Sequence, residues 1–165
     1  MTNVARFLPQ PYVSAAITVL WMVLAPSPSL GNLLLGALVG VAIPWITNVF
    51  WPGRPQPARP AAALALTARV IADIIVANVH VARLVLGPMD RLAPAFVDVP
   101  LDIDDPFVAT VLGSIVSLTP GTVSIDIDRE KRVLHVHALD VGDADEMIAT
   151  IKSRYEAPLK EIFGC

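Results

Sequence analysis

Apolar residues run almost unbroken from Tyr12 to Ala25, stop at Pro26-Ser27-Pro28-Ser29, and resume from Leu30 to Trp51 without a single charge. Each run predicts a helix in lipid. The second, at 22 residues, meets the roughly 20 needed to cross a hydrocarbon core. The first has only 14 unless Phe7 to Pro11 are recruited, so it requires a thin region of bilayer, packing against other protein, or its Pro9 and Pro11 end at the interface. A cleaved signal peptide is the rival reading of this first run. Against it, the leading segment carries only Arg6, no small-x-small cleavage site follows, and a second apolar run comes at once.

The stretch Pro52 to Pro60 holds four prolines and reads as a stiff connector. A third apolar run then extends from Ala61 to Leu86, and it carries Arg69, Asp73, His80 and Arg83. At helical periodicity these four fall within one arc of about 80° and form a polar stripe. Placed in lipid, each charge would cost about 2.5–3.5 kcal/mol, less near the ends or with an Arg69–Asp73 pair at i, i+4. Two arrangements satisfy the pattern: an amphipathic helix in the cytoplasmic interface with its stripe to water, or a span whose stripe faces partner subunits. The first is preferred, because it leaves the remaining chain on the same side as Arg54 and Arg59.

Beyond Gly87-Pro88 the pattern shortens. Phe96 to Ile103 alternates as a strand, with Asp98 and Asp102 on one face and Val97, Val99 and Leu101 on the other; Pro100 makes it an edge strand or bulges it. Asp105-Pro106 supplies an N-cap and a first-turn proline for a helix over Phe107–Leu118. That helix is apolar around most of its circumference, and part of it is expected to meet membrane or another protein. Thr119-Pro120-Gly121-Thr122 fits a type II turn. Val123, Ile125 and Ile127 then alternate inward along a strand; a hairpin at Arg129–Arg132 returns through Leu134, Val136 and Ala138. Sharing one face requires an odd sum of paired residue numbers, which sets His135 opposite Ser124 or Asp126. Asp143 and Glu146 form a capping box for a last helix that presents Met147, Ile148, Ile151 and Tyr155 to the sheet until Pro158 disturbs it. The predicted fold is an α+β membrane protein: an N-terminal transmembrane hairpin, a third amphipathic or membrane helix, and a small β-α-β-β-α domain.

Charge sharpens this division. The first 88 residues hold five arginines and one acid, net +4, while the last 77 hold seven bases and fourteen acids, net −7. With 55% apolar residues and a mean hydropathy of +0.63, the chain exceeds ordinary globular usage. We therefore expect a membrane domain over 1–88, with helices near 12–25, 30–51 and 61–86, and an extramembrane α+β domain over 89–165. Arg6, Arg54 and Arg59 flank the hairpin and its turn has no Lys or Arg, so both ends are expected to face the cytoplasm. The small acidic domain is expected to draw stability from the membrane segment or a partner. The only cysteine, Cys165, excludes an intrachain disulfide and a Cys-based zinc cluster.

Catalytic chemistry finds no foothold. Gly-rich phosphate loops, the G-x-S-x-G elbow and H-E-x-x-H are absent from the sequence, so no enzyme, catalytic residue or cofactor is expected, and a net-negative domain would repel nucleic acid. Asp126, Asp128, His135 and His137 share a strand-hairpin face; imidazole with carboxylate suits zinc or manganese, but favourable cross-strand charge pairing is the preferred reading and no metal is expected. Asp73 and His80 are candidates for a proton path, but Arg69 and Arg83 beside them fit an interfacial helix equally well, and a structural, solvent-facing or subunit-contact role for the four is the preferred reading.

One resemblance covers nearly the whole chain. Leu118-Thr-Pro-Gly-Thr-Val-Ser-Ile-Asp126, Val136-His-Ala-Leu-Asp140, the early Leu20-Trp21, and Ala77-Asn-Val-His-Val81 ahead of Leu86-Gly-Pro88 resemble segments of the E subunit of Mrp-type (Mnh/Pha) multisubunit Na⁺/H⁺ antiporters, and they occur in the same order there. The resemblance implies a multi-pass component of the bacterial inner membrane with its C-terminal domain cytoplasmic. It implies partners, namely large polytopic and small membrane subunits, and a role in assembly or activity of a monovalent cation/proton antiporter whose larger subunits, similar to those of respiratory complex I, carry the ions. The alternative is a membrane-anchored regulatory or ligand-binding domain that senses pH or cations through its acid and histidine face.

Overall fold

A computed structural model describes residues 11–50, 55, 57–88 and 92–165. Arg6, Arg54 and most of the proline connector, on which the expected sidedness partly rests, lie outside the described residues. The chain divides into two compact units, Met1–Arg54 and Pro55–Cys165.

The first unit is a helical hairpin of α1 (Pro11–Leu24) and α2 (Leu30–Thr47). Ser29 caps α2, its Oγ accepting the Asn32 amide at 3.2 Å, and Asn32 in turn donates its side-chain amide to the Ser27 carbonyl at 2.8 Å. The Ser29 cap thus satisfies one of α2's orphan backbone donors, and the Asn32 side chain ties the helix start to the turn. The α-helix ends at Thr47 and tightens into a 3₁₀ turn at Asn48–Phe50, shorter than the single helix to Trp51 expected; Trp51 itself is outside the described residues. What joins the two helices is the size of their residues. Gly36, Gly40 and Pro44, spaced by four, are the buried positions of α2. A Cβ on Gly40 would stand 2.5 Å from Thr18 Oγ1 and 2.6 Å from the Ser14 carbonyl, and one on Gly36 would stand 2.9 Å from the Trp21 ring. Thr18 Oγ1 lies 2.8 Å from the Ser14 carbonyl and 3.3 Å from that of Gly36. Backbones this close are the small-xxx-small packing of membrane helices, where lipid offers no hydrophobic drive and van der Waals contact must do the work. Large residues such as Val19, Leu34 and Leu38 point outward.

In the second unit a long helix, α3 (Pro60–Val85), is folded together with a three-stranded sheet. The strands β1 (Ala95–Pro100), β2 (Thr122–Asp128) and β3 (Val133–Ala138) are antiparallel in the order β1-β3-β2, so Pro100 sits on an edge strand. Between β1 and β2 runs α4 (Pro106–Leu118), capped by Asp105, whose carboxylate accepts the amides of Phe107 and Val108 at 2.8 and 3.1 Å. The final helix begins as α5 (Ala144–Ile151), capped by Asp143, widens into a π turn at Lys152–Glu156, and ends as α6 (Ala157–Phe163). Both α2 and α3 are long and apolar enough to cross a membrane.

Two expectations are corrected here. The first concerns α4, which meets its own chain on two sides. Its Gly113 lies over Ser124, Ile127 and Leu134 of the sheet, and its Phe107 sets an edge against Phe163 of α6 at 5.8 Å. The wide apolar surface is a core between two layers, closed by Leu66 and Val70 of α3 and by Tyr155, Leu159 and Ile162.

The second is the register of β2. From Asp126 to Asp128 the pairing has the odd sum, with His135 opposite Asp126, but from Thr122 to Ser124 it is shifted by one residue. A bulge at Ile125 absorbs the difference. Thr122 and Ser124 therefore turn inward, donating to the α4 carbonyls of Val116 and Gly113, each at 2.7 Å. Val123 and Ile125, expected inward, are instead 45% and 55% exposed.

Candidate functional site

The polar stripe of α3 meets the C-terminal helix along a seam. Asp73 receives Arg154 on both oxygens, Nη2 at 2.5 Å and Nε at 3.3 Å, and accepts the Tyr155 hydroxyl at 3.0 Å. The i, i+4 partner expected for Asp73, Arg69, instead donates to the Arg154 backbone carbonyl at 3.4 Å. That carbonyl is the one four residues before Pro158, which has no N–H to return to it. The π turn relieves the clash of the proline ring, and Arg69 supplies a donor. Nearer the start of α3, Arg59 pairs with Glu161 and the Ala58 amide donates to the Ile162 carbonyl at 2.7 Å.

Electrostatics follow the geometry. The hydrogen bond from Arg154 to Asp73 and the attraction between them raise the guanidinium's pKa, while burial, reinforced by the bond to Asp73, pushes the Tyr155 phenol above its usual range. A second clasp fastens β1 to the same helix. Glu156, 1% exposed, accepts the Asp102 amide at 2.6 Å. Lys152 reaches Asp102 at 2.9 Å, Glu156 at 3.2 Å and the Pro100 carbonyl at 2.7 Å. Burial works against the Lys152 ammonium, but its bonds to both carboxylates outweigh this and its pKa rises; the Lys152 bond in turn holds Asp102 below the usual carboxylate range.

At the far end of the seam a cleft of about 490 Å³ opens between His80 of α3, Thr119 and Thr122 of the turn, Asp140 and Asp143 beyond β3, and Tyr155. The turn is built as its residues require. Gly121 has φ +93°, open to glycine, and the Thr122 amide donates to the Thr119 carbonyl at 3.2 Å. A side chain at 121 would also press on Val81 of α3, with its Cβ 3.1 Å from Cγ2. Leu139 donates to the Gly121 carbonyl at 2.8 Å. The four turn residues thus join α3 to the strand end at Asp140.

The other predicted residues separate. Arg83 is exposed in the last turn of α3 without a partner among the described residues. His135 Nδ1 pairs with Asp98 at 2.6 Å, Asp126 accepts the Ile127 amide at 2.8 Å, Asp128 binds the amides of Glu130 and Lys131 in the hairpin, and His137 stacks on Phe96 with ring centroids 4.9 Å apart. Among the described residues no three His, Cys, Asp or Glu side chains converge as a metal-ligand set.

Residues 14–162 match the family described as Na⁺/H⁺ ion antiporter subunit (MNHE). The chain belongs to this family. Among its relatives, the probable K⁺/H⁺ antiporter E subunit of Rhizobium meliloti is 34% identical over 95% of this chain and 98% of its own length. The Na⁺/H⁺ antiporter E subunit of Alkalihalophilus pseudofirmus is 29% identical over 91% of this chain and 95% of its own. A chain in the structure of the membrane-bound sulfane sulfur reductase, an archaeal respiratory membrane complex, superposes with a TM-score of 0.67 at 25% identity, over 96% of this chain and 99% of that one. In this MNHE chain, Ala77–Val81, Leu118–Thr122 and the strand end at Asp140, three segments that carry the family resemblance, meet around the His80 cleft. Their seam partners Arg154 and Tyr155 were not singled out from sequence as partners of α3, nor were Gly36 and Gly40, although G-x-x-x-G in an apolar run is a legible signal.

Proposed function

We propose that the chain is a non-catalytic component of a multisubunit monovalent cation/proton antiporter of the bacterial inner membrane, supporting its assembly and cytoplasmic architecture. The observation that carries this reading is the family match over residues 14–162; the outward apolar surfaces of the hairpin and α3 agree with it. The α1–α2 hairpin spans the bilayer, the water-facing α+β domain is cytoplasmic, and α3 lies in the interface. This placement of α3 is supported by its pairing: Arg59, Arg69 and Asp73 are clasped by an acidic, water-compatible domain, while Leu64, Ile71, Ile75, Val79 and Leu86 face outward on the opposite side.

Asp73 and Arg69 act as clasps of this domain, outside the ion path, because both are already committed to Arg154. The test is co-purification from membranes that express the whole complex. The wild-type chain is expected to be recovered with the larger subunits, and its deletion to abolish antiport; recovery as a free, soluble protein would refute the assignment. Protease added to inverted vesicles should remove the domain, and protection would refute the topology. In assembled complex carrying Asp73→Asn and His80→Ala, ion exchange per complex should equal wild type.

A further inference from the structure

The helices of the α+β domain cover one face of its sheet, and the other face carries cross-strand rows that the bulge in β2 brings into line. Phe96, His137 and Val123 are paired side by side across β1, β3 and β2. Phe96 is 73% exposed, and Ile125, the bulged residue, extends the same surface. Between the apolar side chains the Nδ1 of His137 is shut off from solvent yet has no hydrogen-bond partner among the described residues. In the next row His135 stands between Asp98 and Asp126. Simple alternation would have put Val123 and Ile125 into the core; the bulge instead spends two β-branched residues on the surface, at a face where contiguous exposed apolar groups mark a contact site.

From this we infer that the open sheet face is the docking surface for a cytoplasmic segment of another antiporter protein that presents an apolar patch beside lysine or arginine. The inference rests on the antiporter-subunit reading. Charge selects the occupant. Asp98 and Asp126 flank the patch in a domain of net −7, so anionic lipid headgroups are repelled. A second copy would set the same carboxylates against each other. Cytoplasmic loops of membrane proteins, by contrast, carry an excess of lysine and arginine, and an apolar centre with a charged rim is the usual anatomy of a protein contact.

The experiment uses the full chain in membranes that express the whole complex. Phe96→Thr, Val123→Thr and Ile125→Thr are combined, since threonine keeps strand propensity; recovery of the chain with a tagged large subunit should fall at least tenfold while its level in the membrane is unchanged. Asp126→Lys removes a carboxylate whose one side-chain hydrogen bond among the described residues is to the neighbouring Ile127 amide; it should lower recovery several-fold and abolish its salt dependence. A photocrosslinking residue at Ile125 should capture another protein of the antiporter. Wild-type recovery of the triple-threonine or the lysine variant overturns the inference, as does capture of lipid, of a second copy, or of nothing. Failure of the wild-type chain to co-purify would overturn the antiporter-subunit reading itself.

Discussion

The two units of this chain hide different things. In the hairpin the buried positions are the small ones, Gly36, Gly40 and Ser14, while leucines and valines face outward. In the α+β unit the buried positions are the large ones, Leu112, Leu134, Leu159 and Ile162. The difference is one of solvent. Where the surroundings are expected to be as apolar as the side chains, burying a leucine gains little and only close fit discriminates; where they are water, area removed from it is the main driving force. Hydrophobicity therefore marks the core in one unit and the surface in the other.

The most damaging substitution should be Leu112→Ala. It empties a fully buried position and is expected to cost about 3–4 kcal/mol, read as the denaturation midpoint of the α+β unit in mild detergent. In the hairpin the damaging direction reverses, and Gly40→Leu should cost about 2–3 kcal/mol by driving a side chain into Thr18 and the Ser14 carbonyl; pulse proteolysis in nanodiscs would register it. A stable Gly40→Leu hairpin would end the contrast. Asp73→Asn leaves Arg154 and Tyr155 facing a neutral amide and should destabilise the seam by about 1–2 kcal/mol. The Tyr155 phenol should also titrate nearer its ordinary value, followed by ultraviolet absorbance.

Protonation gives the fourth prediction. Asp102 is depressed, so its stabilisation is present above the unfolded value of 3.8 and lost as pH falls through its lower folded value. Lys152 is raised, so its stabilisation is complete below 10.5 and lost as pH climbs through the higher folded value. The midpoint of the α+β unit should plateau between these limits, and Lys152→Met should flatten both shoulders. The smallest effect belongs to Leu34→Ala on the hairpin's outer face, within about 0.5 kcal/mol of wild type.

Much of this was legible in the sequence because it is local. The apolar runs, the Asp105-Pro106 helix start, the Thr119–Thr122 turn and the period of β3 each depend on neighbouring residues. Three features depend on distance and escaped. The segment Thr122–Asp128 alternates without a flaw, so nothing in it announces a bulge; the shift arises because Thr122 and Ser124 find carbonyls on α4. The apolar girth of α4 reads as surplus until a second layer is laid over it. The stripe on α3 was visible as a stripe, but Asp73 and Arg154 are 81 residues apart, and periodicity carries no information about such a partner.

That separation sets an order of events at the ribosome. The groups that cover α3, Arg154, Tyr155 and Glu161, are made 81, 82 and 102 residues after Asp73 and Arg59. A nascent chain therefore exposes a charged helix long before its cover emerges, and must hold it with lipid or a chaperone in the meantime. A product cut short before Arg154 keeps Arg69 and Asp73 bare, a mark by which quality-control proteases can tell an unfinished molecule from one ready to join its complex.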